Sequence, residues 1–247
     1  MEGREDAMNI NKNAYVITLT GPSGCGKSEI INILCEIGKT EQYDFLPMLI
    51  PKYTTRAFRK KEIECIEKNT FEELDVIPVH GKDNVVCDKN GNILPEEMQK
   101  EIRRKAFKQL NCDLVYEQYG NQYGIHFSSI YECLKVGRSP IIILNDVRTV
   151  EDIRTFLGKK CISLFVFRKV PLKEDFYEIG KTRNTEVEET EERYEKANAI
   201  YRIYIENIHL FDKLILNTQN GYDSLRCILM QLVESMCEKQ SMFVDER

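Results

Sequence analysis

Polar and apolar positions along the chain follow two periods that alternate from one segment to the next. Residues 15–19 form an apolar, β-branched run that reads as a buried strand, and residues 29–35 carry the apolar spacing of a helix packed on a sheet. Gly38-Lys-Thr-Glu reads as a helix exit, and residues 45–50 as a short second strand. From residue 128 the alternation resumes, with a helix over 129–136, an apolar strand over 140–144, a helix over 149–157 and an apolar strand over 162–167. Residues 171–193 are charged and lack an apolar face until a helix over 191–208. A short strand at 213–216 precedes a terminal helix with Leu225, Leu229, Leu232 and Met236 on one face. Strands separated by helices predict an α/β fold around a central parallel sheet, with ligands at the strands' carboxyl ends.

The middle of the chain gives weaker signals. Val76-Ile-Pro-Val and Asn84-Val-Val-Cys suggest short strands, and Asp88-Lys-Asn-Gly-Asn a hairpin turn. Residues 95–110 predict a charged helix that opens with Pro95 and two glutamates, as the helix dipole favours. Residues 114–124 begin apolar and end in aromatics broken by glycine, a strand leading into a turn that presents Tyr123. Residues 1–13 are polar and expected to be flexible.

Composition narrows the class. With 247 residues and 42% hydrophobic content, the chain has room for one large domain carrying a sub-domain or two. Its net charge of −5 supplies no global basic field, so neither nucleic acid nor an anionic membrane is an expected partner. The cysteines number 9, an odd count with no C-x-x-C pair, which suits a reducing cytoplasm better than a disulfide framework or a zinc site. No apolar run approaches membrane-spanning length, and Met1-Glu-Gly-Arg-Glu-Asp lacks a signal-peptide core. The expectation is a cytoplasmic monomer or homodimer.

Between the first strand and the first helix lies Gly21-Pro-Ser-Gly-Cys-Gly-Lys-Ser28, which fits G-x-x-x-x-G-K-[ST] without mismatch. A strand before it and a helix after it supply the context such a loop needs. Glycines let the backbone of Gly21, Ser23, Gly24, Cys25 and Gly26 curl with its N–H groups inward, and the helix N-terminus adds partial positive charge. Lys27 then reaches the β- and γ-phosphates of a nucleoside triphosphate, and the Ser28 hydroxyl ligates Mg²⁺. A GTPase would add Asn/Thr-Lys-x-Asp and Asp-x-x-Gly, and neither occurs in a suitable place. A motor ATPase is usually larger. The remaining clues favour a kinase acting on a small acceptor.

Five stretches then occur in order: the phosphate loop, Tyr53-Thr-Thr-Arg-Ala-Phe-Arg-Lys-Lys-Glu62, Gly120-Asn-Gln-Tyr-Gly124, Asp146, and Arg183-Asn-Thr-Glu-Val-Glu-Glu189. Together they resemble the guanylate kinase family over roughly residues 14–236. The resemblance implies a P-loop NTPase three-layer sandwich over residues 14–51 and 128–240. It also implies an α+β acceptor-binding insertion over 52–127 and a helical lid at about 171–193. The implied reaction moves the γ-phosphoryl of ATP to a phosphate on the acceptor. Arg56 and Arg59 match the fork around that phosphate, where guanidinium geometry allows paired hydrogen bonds, unless they belong to a solvated basic face. Tyr123 matches a tyrosine that donates its hydroxyl to the same phosphate, unless it is a packed aromatic of a hairpin. Arg183 matches the lid arginine, and Arg193 is a second one set one residue early; both would stabilise charge during transfer. Asp146, at the end of an apolar strand, either holds Mg²⁺ through water or shares with Asn145 the capping of the next helix, and the two roles are compatible.

The base-reading positions depart from the family. Leu114 stands for a glutamate nine residues before the phosphate tyrosine, Ile125 for a serine or threonine, and Leu144 for an aspartate. The family's Asp-Tyr-x-Phe stretch has no clear equivalent. Guanine would need acidic partners, which Glu117 or another acid in 63–118 would have to supply. Three acceptor readings follow: GMP or another nucleoside monophosphate, a phosphorylated sugar such as ribose 1,5-bisphosphate, or none, in a non-catalytic binding module.

Overall fold

The computed structural model describes residues 14–22, 24–40, 42–70, 74–118, 120–168, 172–182, 187–217 and 221–242. In chain order these form β1 (Val16–Thr20), α1 (Lys27–Gly38), β2 (Pro47–Leu49), β3 (Lys52–Thr54), α2 (Lys60–Glu67), β4 (Val76–Pro78) and α3 (Glu96–Gln109). There follow β5 (Leu114–Gln118), β6 (Asn121–Ile125), α4 (Phe127–Lys135), β7 (Ser139–Ile143), α5 (Val147–Leu157) and β8 (Cys161–Phe167). The chain closes with α6 (Lys173–Thr182), α7 (Val187–Glu206), β9 (Lys213–Leu216) and α8 (Tyr222–Met242). Met48–Val136 make one compact unit, and the segments on either side of it make the other.

In the flanking unit the sheet order is β2-β7-β1-β8-β9, and β1 pairs in parallel with both β7 and β8. The fold is α/β with a parallel central sheet and helices on both sides. Parallel strands covered on both faces read as near-continuous apolar runs. β1 accordingly buries Val16, Ile17 and Leu19 completely, each contributing roughly 1.5–3 kcal/mol. Helix α1 buries Ile30, Ile33, Leu34 and Ile37 along one stripe and packs with α8. α8 buries Leu225, Leu229, Leu232 and Met236, the face its periodicity predicts. Tyr222 at its start donates its hydroxyl to Glu36 on α1 at 2.7 Å. The segment expected to form a helical lid is α6 with the start of α7, which pair through Lys173 and Glu191 and an edge-on Phe176–Tyr194 contact. α7 starts at Val187, earlier than the charge pattern suggested. Its buried side is sparse, made by Thr190, Ala197 and Ile200, so hydrophobic spacing hardly registers there.

Met48–Val136 contain a second sheet in the order β4-β3-β6-β5, with β3–β4 parallel and the other two pairings antiparallel. Two elements here had no expectation in the sequence: β3, and α2, which begins at the end of the Tyr53–Glu62 stretch and runs on to Glu67. Residues 84–87 do not form the expected strand. They run as loop, and only Cys87 bridges to Ile93, across a turn that Asp88 closes by accepting from the Asn90 and Asn92 amides. Tyr123 sits within β6 rather than on a turn. Gly124 beside it is explained by packing, because a Cβ there would lie 2.6 Å from Cys112 Sγ and 2.9 Å from the Phe107 ring on α3.

Candidate active site

The phosphate loop leaves the carboxyl end of β1, where a parallel sheet presents its ligands. Gly26 ends the loop at φ 94°, in the left-handed region, and α1 begins at Lys27 with no side chain capping its first amides. Those amides point to whatever anion the loop receives. A Cβ on Gly26 would meet Asn217 Nδ2 at 1.9 Å, so only glycine fits. Lys27 Nζ donates to Gly21 O at 2.6 Å and Pro22 O at 2.8 Å, and lies 3.7 Å from Cys25 Sγ. Burial pushes the Cys25 thiol above its ordinary value, against the pull of Lys27. Ser28 is exposed in the first turn of α1, and Gly24 is exposed on the loop. Ser23 lies outside the described residues.

Two asparagines unremarked by any motif brace this loop. Asn145 Oδ1 accepts from the Gly21 amide at 3.2 Å. Asn217, 2% exposed at the end of β9, donates Nδ2 to Cys25 O at 3.2 Å and to Glu29 Oε2 at 2.9 Å. Asp146 takes the capping role. It is the N-cap of α5, and its Oδ2 accepts from Thr149 N at 2.8 Å and from the Thr149 hydroxyl at 2.6 Å.

In Met48–Val136 the Thr-Thr-Arg stretch acquires a physical reason. The Thr54 hydroxyl accepts from the Arg56 amide at 3.1 Å, and the Thr55 hydroxyl accepts from Gln122 N at 2.9 Å, which ties the turn after β3 to β6. Arg56 then makes a two-armed pair with Glu62, Nη1–Oε2 at 3.0 Å and Nη2–Oε1 at 2.6 Å, and donates also to Ala57 O. Tyr123 lies close enough to the same guanidinium to favour its charged form. Burial alone would lower the Arg56 pKa, but Glu62 and Tyr123 together leave it raised, so the fork is always charged. Arg59 is placed differently. Its amide donates to Glu62 Oε2 at 2.6 Å at the start of α2, while its side chain is exposed.

Tyr123 stacks on Tyr116 across the hairpin with ring centroids 5.2 Å apart. Register puts Leu114–Ile125 and Tyr116–Tyr123 on one face of β5–β6, and Glu117–Gln122 on the other. Glu117 is therefore exposed and directed away from Tyr123, and the structure does not bring this expected base reader to the Arg56–Tyr123 cluster. Among the lid candidates, Arg193 is exposed on α7 and engaged in an interaction of its own, and Arg183 lies outside the described residues.

No protein-family model matches the chain. It is 28% identical over 238 residues to a guanylate kinase from Aster yellows witches'-broom phytoplasma (strain AYWB), covering 95% of this chain and 93% of that protein. The chain resembles the guanylate kinase family over nearly its whole length. The fold agrees, since the guanylate kinase of Anaplasma phagocytophilum superposes with a TM-score of 0.51 at 15% identity. That match covers 92% of this chain and 88% of the other chain. The braces Asn145 and Asn217 had no sequence signal beyond their places at the ends of β7 and β9, the edge where a parallel sheet collects ligand-binding side chains.

Proposed function

We propose that this kinase transfers the γ-phosphoryl group of ATP to the phosphate of a small phosphorylated acceptor, GMP or another nucleoside monophosphate. The observation behind this reading is the Arg56–Glu62–Tyr123 cluster, a charged fork held in a set orientation beside a phenol. A guanidinium carries five N–H donors, and Glu62 and Ala57 take three of them, so N–H groups remain beside the phenol O–H for a phosphate dianion. The name of the phytoplasma relative, a guanylate kinase, supports the same class.

On this reading the phosphate loop and the first turn of α1 hold the ATP phosphates, and Lys27 exchanges its loop carbonyls for the β- and γ-oxygens. The donors present fit Mg²⁺: the Ser28 hydroxyl is exposed, and Asp146 offers a half-buried carboxylate. Mg²⁺, when bound, neutralises charge building on the β- and γ-phosphates. Arg183 and Arg193 are proposed to stabilise the equatorial oxygens, and Arg59, exposed beside the fork, to assist with the acceptor phosphate. A cytoplasmic location and a monomeric or homodimeric state belong to the same proposal.

One observation favours a second reading, a phosphorylated sugar such as ribose 1,5-bisphosphate. Leu114 and Ile125, at 5% and 1% exposure, put hydrocarbon at two positions of the Tyr123 face where a guanine edge would need polar partners. An ADP-release screen with ATP and Mg²⁺ against GMP, the other nucleoside monophosphates and sugar phosphates decides between them. We expect release with at least one phosphorylated acceptor and a fall of several orders of magnitude in Lys27→Ala. No release with any acceptor would leave the kinase proposal without support.

A further inference from the structure

We infer that Asn84 is a positioning residue for the Arg56 phosphate fork. Asn84 is fully buried, belongs to no motif and adopts a left-handed φ of 64°. Every hydrogen-bonding group it owns is used. Its two amide hydrogens go to Thr54 O at 2.6 Å and Arg56 O at 2.7 Å, the carbonyls on either side of the turn that aims Arg56. Its Oδ1 accepts from the amides of Val79 at 2.8 Å and His80 at 2.9 Å, and its own amide donates to His80 O at 3.1 Å. Just before it, Asp83 O accepts from Phe58 N at 3.1 Å, so the Arg56 loop is held on both sides by residues 83–84.

Behind Asn84 stands Arg103 of α3, 1% exposed. It donates Nη1 to Asn84 O at 3.0 Å and Nη2 to Glu96 Oε1 at 2.5 Å. Its Nε is buried without a hydrogen-bond partner among the described residues. A guanidinium kept in the interior with an unsatisfied N–H is costly, and an apolar residue would fill the volume without that cost. The arrangement becomes intelligible if the location of the Asn84 backbone matters. Glu62 sets the direction of the Arg56 side chain, while Asn84 sets the place of its backbone. A fork that takes a phosphate on its remaining N–H groups needs both.

The inference rests on the reading of Arg56 as an acceptor-phosphate ligand, and a double-mutant cycle on the full chain tests the two separately. Asn84→Gly keeps the left-handed backbone and both main-chain bonds while removing the carboxamide. Asn84→Gly, Arg56→Ala and the double variant are compared for KM and kcat, with GMP, AMP and ribose 5-phosphate as probe acceptors and ATP as donor. Asn84→Gly should raise the acceptor KM by about tenfold or more and leave the ATP KM within about twofold, and it should add nothing once Arg56 is gone. Additive losses in the double variant, or equal rises in both KM values, would assign Asn84 to folding alone and overturn the inference. Unchanged acceptor kinetics in Arg56→Ala, or no turnover of any probe by the wild-type chain, overturns the reading of Arg56 itself. If Asn84→Gly does not fold, Arg103→Lys enters the same cycle, since it retains the charge and cannot bridge Asn84 O and Glu96 together. The same coupled, acceptor-only loss is expected of it, and additivity again overturns the inference.

Discussion

Glu62 closes on the Arg56 guanidinium through two parallel hydrogen bonds of 3.0 and 2.6 Å, and both side chains are largely buried. The same carboxylate also accepts from the Arg59 amide, so one acid both starts α2 and aims the fork. Removing one partner of such a pair leaves the other charged and poorly solvated. Glu62→Gln should therefore lower stability by about 1–3 kcal/mol. It should also raise the acceptor KM while leaving the ATP KM unchanged. Chemical denaturation and steady-state kinetics check the two parts, and an acceptor KM equal to that of the wild type would detach Glu62 from the site.

The phosphate loop gives a contrast between two glycines. Gly26 has φ 94°, and its absent Cβ would fall 1.9 Å from Asn217 Nδ2, whereas Gly24 at φ 79° has nothing within 4 Å. Gly24→Ala meets backbone strain alone, about 1–2 kcal/mol. Gly26→Ala meets the same strain and in addition must displace the buried amide that holds Cys25 O and Glu29. Titration with a non-hydrolysable ATP analogue and thermal melting should show Gly26→Ala losing both affinity and stability, with Gly24→Ala much nearer the wild type. Equal behaviour of the two would mean that Asn217 does not brace the loop.

Legibility in the sequence divides along the same physical line as the two sheets. Strands β1, β7 and β8 are covered on both faces, so burial writes a continuous apolar run that can be read directly. β3 is only Lys52–Thr54, and it buries Lys52 and Thr54, polar residues satisfied by partners the sequence does not point to. Lys52 pairs with Asp75 at 3.5 Å, and Thr54 O is held by Asn84. Hydrophobic periodicity is blind to such positions. The phosphate loop and the Thr-Thr-Arg turn were legible because their geometry is local. Asn145, Asn217 and Asn84 were not, because they act on residues 124, 192 and up to 30 positions away. Asp146 could be read as a cap or a metal ligand, and its bonds to Thr149 supply the cap.

Thiol labelling provides a check on the core. Cys87 and Cys227 are exposed, while Cys133 and Cys161 are buried. Burial pushes the Cys161 thiol up to about 11, with the Ser163 hydroxyl and Arg154 opposing the shift. Near pH 8 only about one part in 10³ of such a thiol is thiolate, the form that reacts. Maleimide labelling followed by peptide mapping should mark Cys87 and Cys227 first, and Cys133 and Cys161 only on unfolding. The Cys161 shift also has a pH consequence. Between pH 9 and about 11 the unfolded thiol ionises and the folded one does not, so stability is lost as pH rises through that window. A Cys161→Ser variant should show a shallower loss over the same range.

On the proposed reading, the choice of acceptor lies with the face of β5–β6 that carries Tyr123. Leu114 and Ile125 face each other there, both buried, with the Tyr116–Tyr123 stack beside them. Glu117 is on the opposite face, paired with Gln122, and cannot supply the acid that guanine's N1–H and exocyclic amine would need. Each polar edge left unmet costs about 1–3 kcal/mol. Two unmet edges then separate GMP from a well-matched acceptor by a factor of about 30 or more in kcat/KM. Arg56→Ala should damage every acceptor alike, because it removes the phosphate contact they share, whereas Glu117→Gln should change none of them. A kcat/KM for GMP near ~10⁶ M⁻¹s⁻¹, well within the ordinary enzyme range, together with a loss in Glu117→Gln, would show that the base is read from the other face and would make GMP the substrate.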